Sequence, residues 1–226
     1  MKRRTLDILF SIGGMAMAAL LLLAGIVLTS NANFATDYVR DQLSAQNITF
    51  KPADTLTEEE RAQACLVQYA GQQLTTGKQA ECYANNFIGL HLESVANGQT
   101  YAELGAPQPA LREQVAQAEE TNDPALADLQ AQLDEITAQR ETLFKGETLR
   151  GLLLTSFGFS EFGTKAGQAA TVAYIGAFIM LVLALAGFWH AARTPETTAF
   201  APVEPHSERA PSNLSELAGT GRGPDF

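Results

Sequence analysis

Nitrogen and sulfur ligands are scarce in this chain: three His and two Cys among 226 residues, with a single Trp. A catalytic metal centre needs several such groups converging on one point, and this composition leaves little room for one. Basic residues are also in the minority, 15 Lys and Arg against 25 Asp and Glu. The resulting net charge of −10 excludes a nucleic-acid binder that relies on a basic surface. Charge is missing altogether from residues 9–28 and 169–189. That excludes a plain cytosolic globule, because the stretch between these two runs is as charged as an ordinary soluble protein.

Each uncharged run is about 20 residues, and at about 1.5 Å per residue it reaches the thickness of a hydrocarbon core. Lys2, Arg3 and Arg4 precede the first, while His190 and Arg193 follow the second. Basic flanks favour the cytoplasmic side. The expected layout is therefore a cytoplasmic N-terminus at 1–8, a first transmembrane helix at 9–30, an outer domain at 31–168, a second transmembrane helix at 169–190 and a cytoplasmic tail at 191–226. Localisation in the plasma (inner) membrane follows, with Trp189 as an interfacial anchor. The alternative for residues 1–32 is a cleaved signal peptide ending at Ser30-Asn31-Ala32. The apolar run exceeds the usual 7–15 residues of a signal core, which favours a retained anchor.

Small residues recur on both spans: Gly14 and Ala18 on the first, and Ala169, Ala173 and Ala177 on the second, preceded by Gly163 and Gly167. Such spacing lets helices approach closely in lipid. Neither span holds an Asp, Glu, Lys or Arg of the kind that proton relays and ion pathways use.

Residues 31–168 contain 19 of the acidic and 9 of the basic residues, and so carry the whole net charge. The first span extends outward through 33–45, and 47–52 reads as a short extended piece ending at Pro52. Thr57 with Glu60, Thr76 with Gln79 and Thr100 with Glu103 are capping boxes that open helices. The first runs to about Tyr69. The second runs to about Ala96, with Asn97-Gly98 as its stop. Its core face carries Ala80, Tyr83, Phe87 and Leu90, widened by Ala84, Ile88, Leu92 and Val95.

The longest outer helix opens at Asn122 or Asp123. Leu126, Leu129, Leu133, Ile136, Arg140 and Leu143 follow at heptad spacing. This seam faces either an antiparallel arm at 108–120 or a second copy of the chain. The apolar stretch from Leu149 to Phe162 then leads into the second span. The fold class expected is mainly α: two transmembrane helices flanking an all-helical extracytoplasmic domain, with a disordered tail.

Cys65 and Cys82 are an even pair on the expected oxidising side, which reads as a disulfide. His91 is the single His of the outer domain and lacks a second ligand or a triad pattern. The Glu58-Glu59-Glu60 run at a helix start complements the helix dipole without a metal. No catalytic residue, cofactor site or metal site is expected.

Three stretches carry a resemblance: DQLSAQNITF at 41–50, YAGQQLTTGKQAE at 69–81 and LFKGETLRGLLL at 143–154. Together they resemble a family of actinobacterial two-span membrane proteins with a helical outer domain, over about residues 1–193. Some members carry the label of aromatic ring-opening dioxygenases. That chemistry needs iron held by His and carboxylates, and one His does not supply it. The layout is also similar to accessory subunits of the actinobacterial respiratory supercomplex. The reading is a non-enzymatic accessory or scaffolding subunit. Its partners would be the lipid bilayer and other membrane proteins or a second copy, with no nucleic acid. An extracytoplasmic sensor is the alternative, and an enzyme of unknown type comes third.

Overall fold

The structure, a computed structural model, describes residues 3–195. Lys2 and the tail beyond 195, where disorder was expected, lie outside the described residues. The element order is α1 (Arg3–Ala45), α2 (Glu58–Arg61), α3 (Ala64–Gln68), α4 (Gly77–Cys82), α5 (Gly89–Val95), α6 (Tyr101–Gly105), α7 (Pro107–Thr121) and α8 (Leu126–Arg193). A wide π-turn at Tyr83–Ile88 joins α4 to α5. The fold is mainly helical, with no strand among the described residues. α1 and α8 are both long and apolar enough to cross a membrane.

The three capping boxes form as the spacing predicts. Thr57, Thr76 and Thr100 each accept from the backbone three residues on, and Glu60, Gln79 and Glu103 reach back. Helix ends are equally local. Asn47, Asn97 and Asn122, at φ 52°, 53° and 50°, each follow a helix in the left-handed conformation that Asn tolerates. The helix from Thr57 departs from the expected single run to Tyr69. It breaks at Gln63, whose backbone is extended and whose side chain accepts from Asn86 at 2.7 Å. The chain re-enters a helix at α3.

The chain divides into two compact units, Met17–Ile179 and the two ends together. In the larger unit, residues 48–51 pair antiparallel with 71–74. Phe50 N donates to Gln72 O at 2.9 Å, and Leu74 N to Ile48 O at 2.8 Å. This confirms an extended piece before Pro52 and supplies the partner that the sequence did not name. Phe50, Leu66, Leu74, Ala80, Ala84, Ile88, Leu92 and Leu104 form one core with Val39 and Leu43 of α1 and Leu143 and Leu153 of α8. Tyr83 and Phe87 stay half-buried, so the inner face of α4–α5 is the Ala80, Ala84, Ile88, Leu92 row.

Also in the larger unit, α1 and α8 run antiparallel at close range. Gly25 leaves the space that the Tyr174 ring fills, since a Cβ there would lie 2.6 Å from it. Thr29 and Tyr174 share a hydrogen bond at 3.1 Å. A Cβ on Gly163 would meet Ala35 Cβ at 2.8 Å and the Ala32 carbonyl at 3.3 Å. In the smaller unit Gly14 faces Ala184, Gly187 faces Ser11, and His190 Nδ1 lies 2.9 Å from Asp7 Oδ2.

The buried small residues of α8 recur every seven positions, Ala170, Ala177, Ala184 and Ala191, with Ala173 between. Gly14 and Ala18 belong to the buried face of α1. Ala169 is exposed and Ala170 takes the inward place, because the seam advances by alternating threes and fours rather than by fours.

α7 folds back along the start of α8, as an antiparallel arm would. Gln108 donates to Thr137 at 2.9 Å, and Gln130 to Glu119 at 3.2 Å. Leu126, Leu129, Leu133 and Ile136 are half-buried, and Leu143 is buried. Arg140 sits over the Tyr101 ring at 4.3 Å and donates to Gln108. A seam position that a leucine would normally occupy thus holds the α6–α7 corner through polar contacts.

Candidate functional site

Two constellations stand out, a buried carboxylate and an uncovered apolar groove. The carboxylate is Glu60, only 1% exposed. One oxygen accepts from Thr57 N at 2.8 Å and completes the capping box. The other accepts from Lys51 Nζ at 2.7 Å and lies 3.6 Å from His91 Nε2. Burial pushes its pKa up. The Lys51 ammonium, the Thr57 amide and nearby His91 outweigh that, and the carboxyl titrates below its ordinary value. His91 Nδ1 lies 2.6 Å from the Phe87 carbonyl, an oxygen that can only accept, so Nδ1 carries a proton. The His91 ring packs on Phe87 at 4.5 Å with half its side chain in solvent, and Lys51 lies over the same Phe87 ring at 5.3 Å.

The cluster joins the extended piece, α2 and α5 by charge and hydrogen bonds. Its groups are paired with one another, and no nucleophile–base pair is set up. The capping box was legible at 57–60, but nothing in the local sequence signals that Glu60 is buried or that Lys51 is its partner. Among the described residues, no three His, Cys, Asp or Glu side chains gather closely enough to hold a metal ion.

Cys65 on α3 and Cys82 at the end of α4 are joined, with Cα atoms 6.0 Å apart. That lies inside the range a disulfide spans. The bond ties α3 to α4 beside the Phe50, Tyr69 and Tyr83 rings, which meet at 5.3–5.5 Å.

The groove, about 430 Å³, lies between residues 38–48, at and just past the end of α1, and residues 149–159 of α8. Tyr38, Gln42 and Gln46 form one wall, Leu149, Leu152 and Phe159 the other, and Val39, Leu43 and Leu153 the floor. None of its lining residues is charged. Leu152 is 63% exposed and Tyr38 50%, and Leu149 and Phe159 are also exposed. At one end Phe34 stacks on Tyr38 with ring centres 5.8 Å apart, and Phe159 meets both rings edge-on at 6.3 and 5.7 Å. The small helices cover a different flank of α8, where Gly146 touches Leu92 and Ser160 touches Gly77.

The sequence singled out Leu149–Phe162 as an apolar stretch leading into the second span. It did not show that part of this stretch stays open while the Leu126–Leu143 seam is half-covered. No protein-family model, curated protein or solved structure matches this chain.

Proposed function

We propose that this chain is a non-enzymatic integral membrane protein, an accessory or scaffolding subunit that docks a membrane partner through its outer helical domain. In this reading 9–30 and 169–190 cross the plasma membrane, both termini are cytoplasmic, and 31–168 stand outside. The apolar stretches of α1 and α8, with their length and basic flanks, support the placement. The resemblance to actinobacterial two-span proteins and to supercomplex accessory subunits points the same way.

The observation that carries the reading is the groove. An outer domain with a solid core leaves a contiguous, uncharged apolar face on the very helices that rise from the membrane. Surfaces of that kind mark contact sites. Purification of the full-length protein from native membranes in mild detergent tests the proposal. A defined set of membrane proteins should be retained with it, and His91→Ala should leave that set unchanged. Recovery with lipid and no other protein species would overturn docking. Loss of cellular function in a folded, inserted His91→Ala protein would replace docking with a chemical or ligand-binding role.

A further inference from the structure

We propose that a hollow between α5 and α8, rimmed by Asn85, Glu93, Glu147 and Arg150, binds a small zwitterion of the amino-acid class. The hollow holds about 560 Å³ and shares no lining residue with the apolar groove. Small-molecule sites run from about 300 to 1,000 Å³, so the space suits a ligand of this size. Leu92 and Leu143 line it as buried members of the core. Tyr101 also lines it, and its ring is fixed by Arg140, whose guanidinium lies 4.3 Å from the ring centre. The π-turn at Tyr83–Ile88 brings Asn85 to the rim. Turns of that kind cluster at functional sites.

Arg150 supplies the cation of the rim, and its bonds within the chain are weak. Nη1 donates to both Glu147 oxygens at 3.3 Å, and Nη2 donates to Asn85 Oδ1 at 3.4 Å. A well-made charge-assisted bond is about 2.7–2.9 Å long. Nε is buried and has no partner. A guanidinium carries five N–H donors, and the two Nη groups keep hydrogens for a further acceptor. The two oxygens of a carboxylate match that fork.

Glu93, on the α5 side, is exposed and makes no side-chain hydrogen bond or ion pair among the described residues. Charge then separates the candidate ligands. A phosphate or a simple anion meets the carboxylates of Glu93 and Glu147, and a simple cation meets Arg150. A molecule bearing both a carboxylate and an ammonium pairs with Arg150 and Glu93 together, and its apolar part has Leu92 and Leu143 to pack on.

Gly89 lines the same hollow. A Cβ there would lie 3.5 Å from Ala84 O and 3.9 Å from Arg150 Nε, which are ordinary contacts. A leucine at 89 therefore reaches into the hollow without straining α5, and leucine suits a helix better than glycine does.

The test is thermal melting of the full-length protein in mild detergent with glycine, leucine, phenylalanine, glutamine, lysine and glutamate added one at a time. At about 10 mM, at least one should raise the melting temperature of the wild type by about 2–4 °C. Acetate and methylammonium at the same concentration should not. Glu93→Gln and Arg150→Gln should each abolish the rise. Gly89→Leu should abolish it too, while melting no lower than the wild type without ligand. No rise with any of the six would overturn the proposal. A rise that acetate alone reproduces would reduce the hollow to an anion site, and one that methylammonium alone reproduces would reduce it to a cation site; either overturns the zwitterion. A rise that survives in Glu93→Gln and in Gly89→Leu would place the binding elsewhere on the chain and overturn it as well.

Discussion

At the scale of single residues, Glu60 is the most consequential side chain. A carboxylate this buried is tolerable because Thr57 N and Lys51 Nζ donate to its two oxygens. Its folded pKa lies below the unfolded value of about 4.3. The stabilisation it gives is therefore complete above that value and is lost as pH falls through the lower, folded one. Melting of the helical segment at 31–168, followed by circular dichroism in detergent, should hold steady from neutrality to about pH 5 and then decline. Lys51→Met removes the strongest opposing group and raises the folded pKa, so stability at neutral pH should fall and the decline on acidification should shrink. An acid transition unchanged by Lys51→Met would show that the pair does not set it. Glu60→Ala also removes half of a capping box and should cost on the order of 1–2 kcal/mol at neutral pH.

At the scale of elements, the antiparallel contact of α1 and α8 depends on side chains being absent at chosen points. Gly163 faces the Ala32 carbonyl and Ala35 Cβ, and neither can swing aside as a long side chain would. Gly163→Leu must push the helices apart, at a cost of about 1–3 kcal/mol. Gly158 lies five residues away on the same helix with open space where a Cβ would project. Gly158→Ala should leave stability unchanged or raise it by about 0.5–1 kcal/mol, because alanine restricts the unfolded chain and suits a helix. Thermal melts of the two variants in one detergent check both expectations. A harmless Gly163→Leu would mean that the helices do not meet as closely as they do here.

For the molecule as a whole, the disulfide tests the side of the membrane proposed for residues 31–168. Cys65 and Cys82 are the two cysteines of the chain, and both fall in that segment. If the segment faces an oxidising space, the pair stays bonded in the cell. Alkylation of intact cells at low pH, followed by unfolding, should leave wild-type protein unmodified unless it is first reduced. Modification without reduction would place the segment in the reducing cytoplasm and invert the topology. Closing a loop of this size stabilises by about 3 kcal/mol in the chain-entropy account, so reduction should lower the melting temperature measurably.

The sequence by itself determined what depends on near neighbours along the chain. The three Thr boxes act over three residues, and their side chains and amides meet whatever the rest of the fold does. Asn97-Gly98 stops a helix for the same reason, and the two uncharged runs announce their length and polarity directly. Tertiary structure alone decided what depends on distant partners. Glu60 became a buried ion-pair member because residues 48–51 pair with 71–74 and bring Lys51 over α2. Ala170 rather than Ala169 faces inward because two long helices wind about each other, and that changes the step from four to three and four. The Leu126–Leu143 seam and the Leu149–Phe159 stretch both offer apolar side chains at helical spacing in the sequence. α7 returns over the first and nothing within the described chain returns over Leu152, so the open face could be found only in three dimensions.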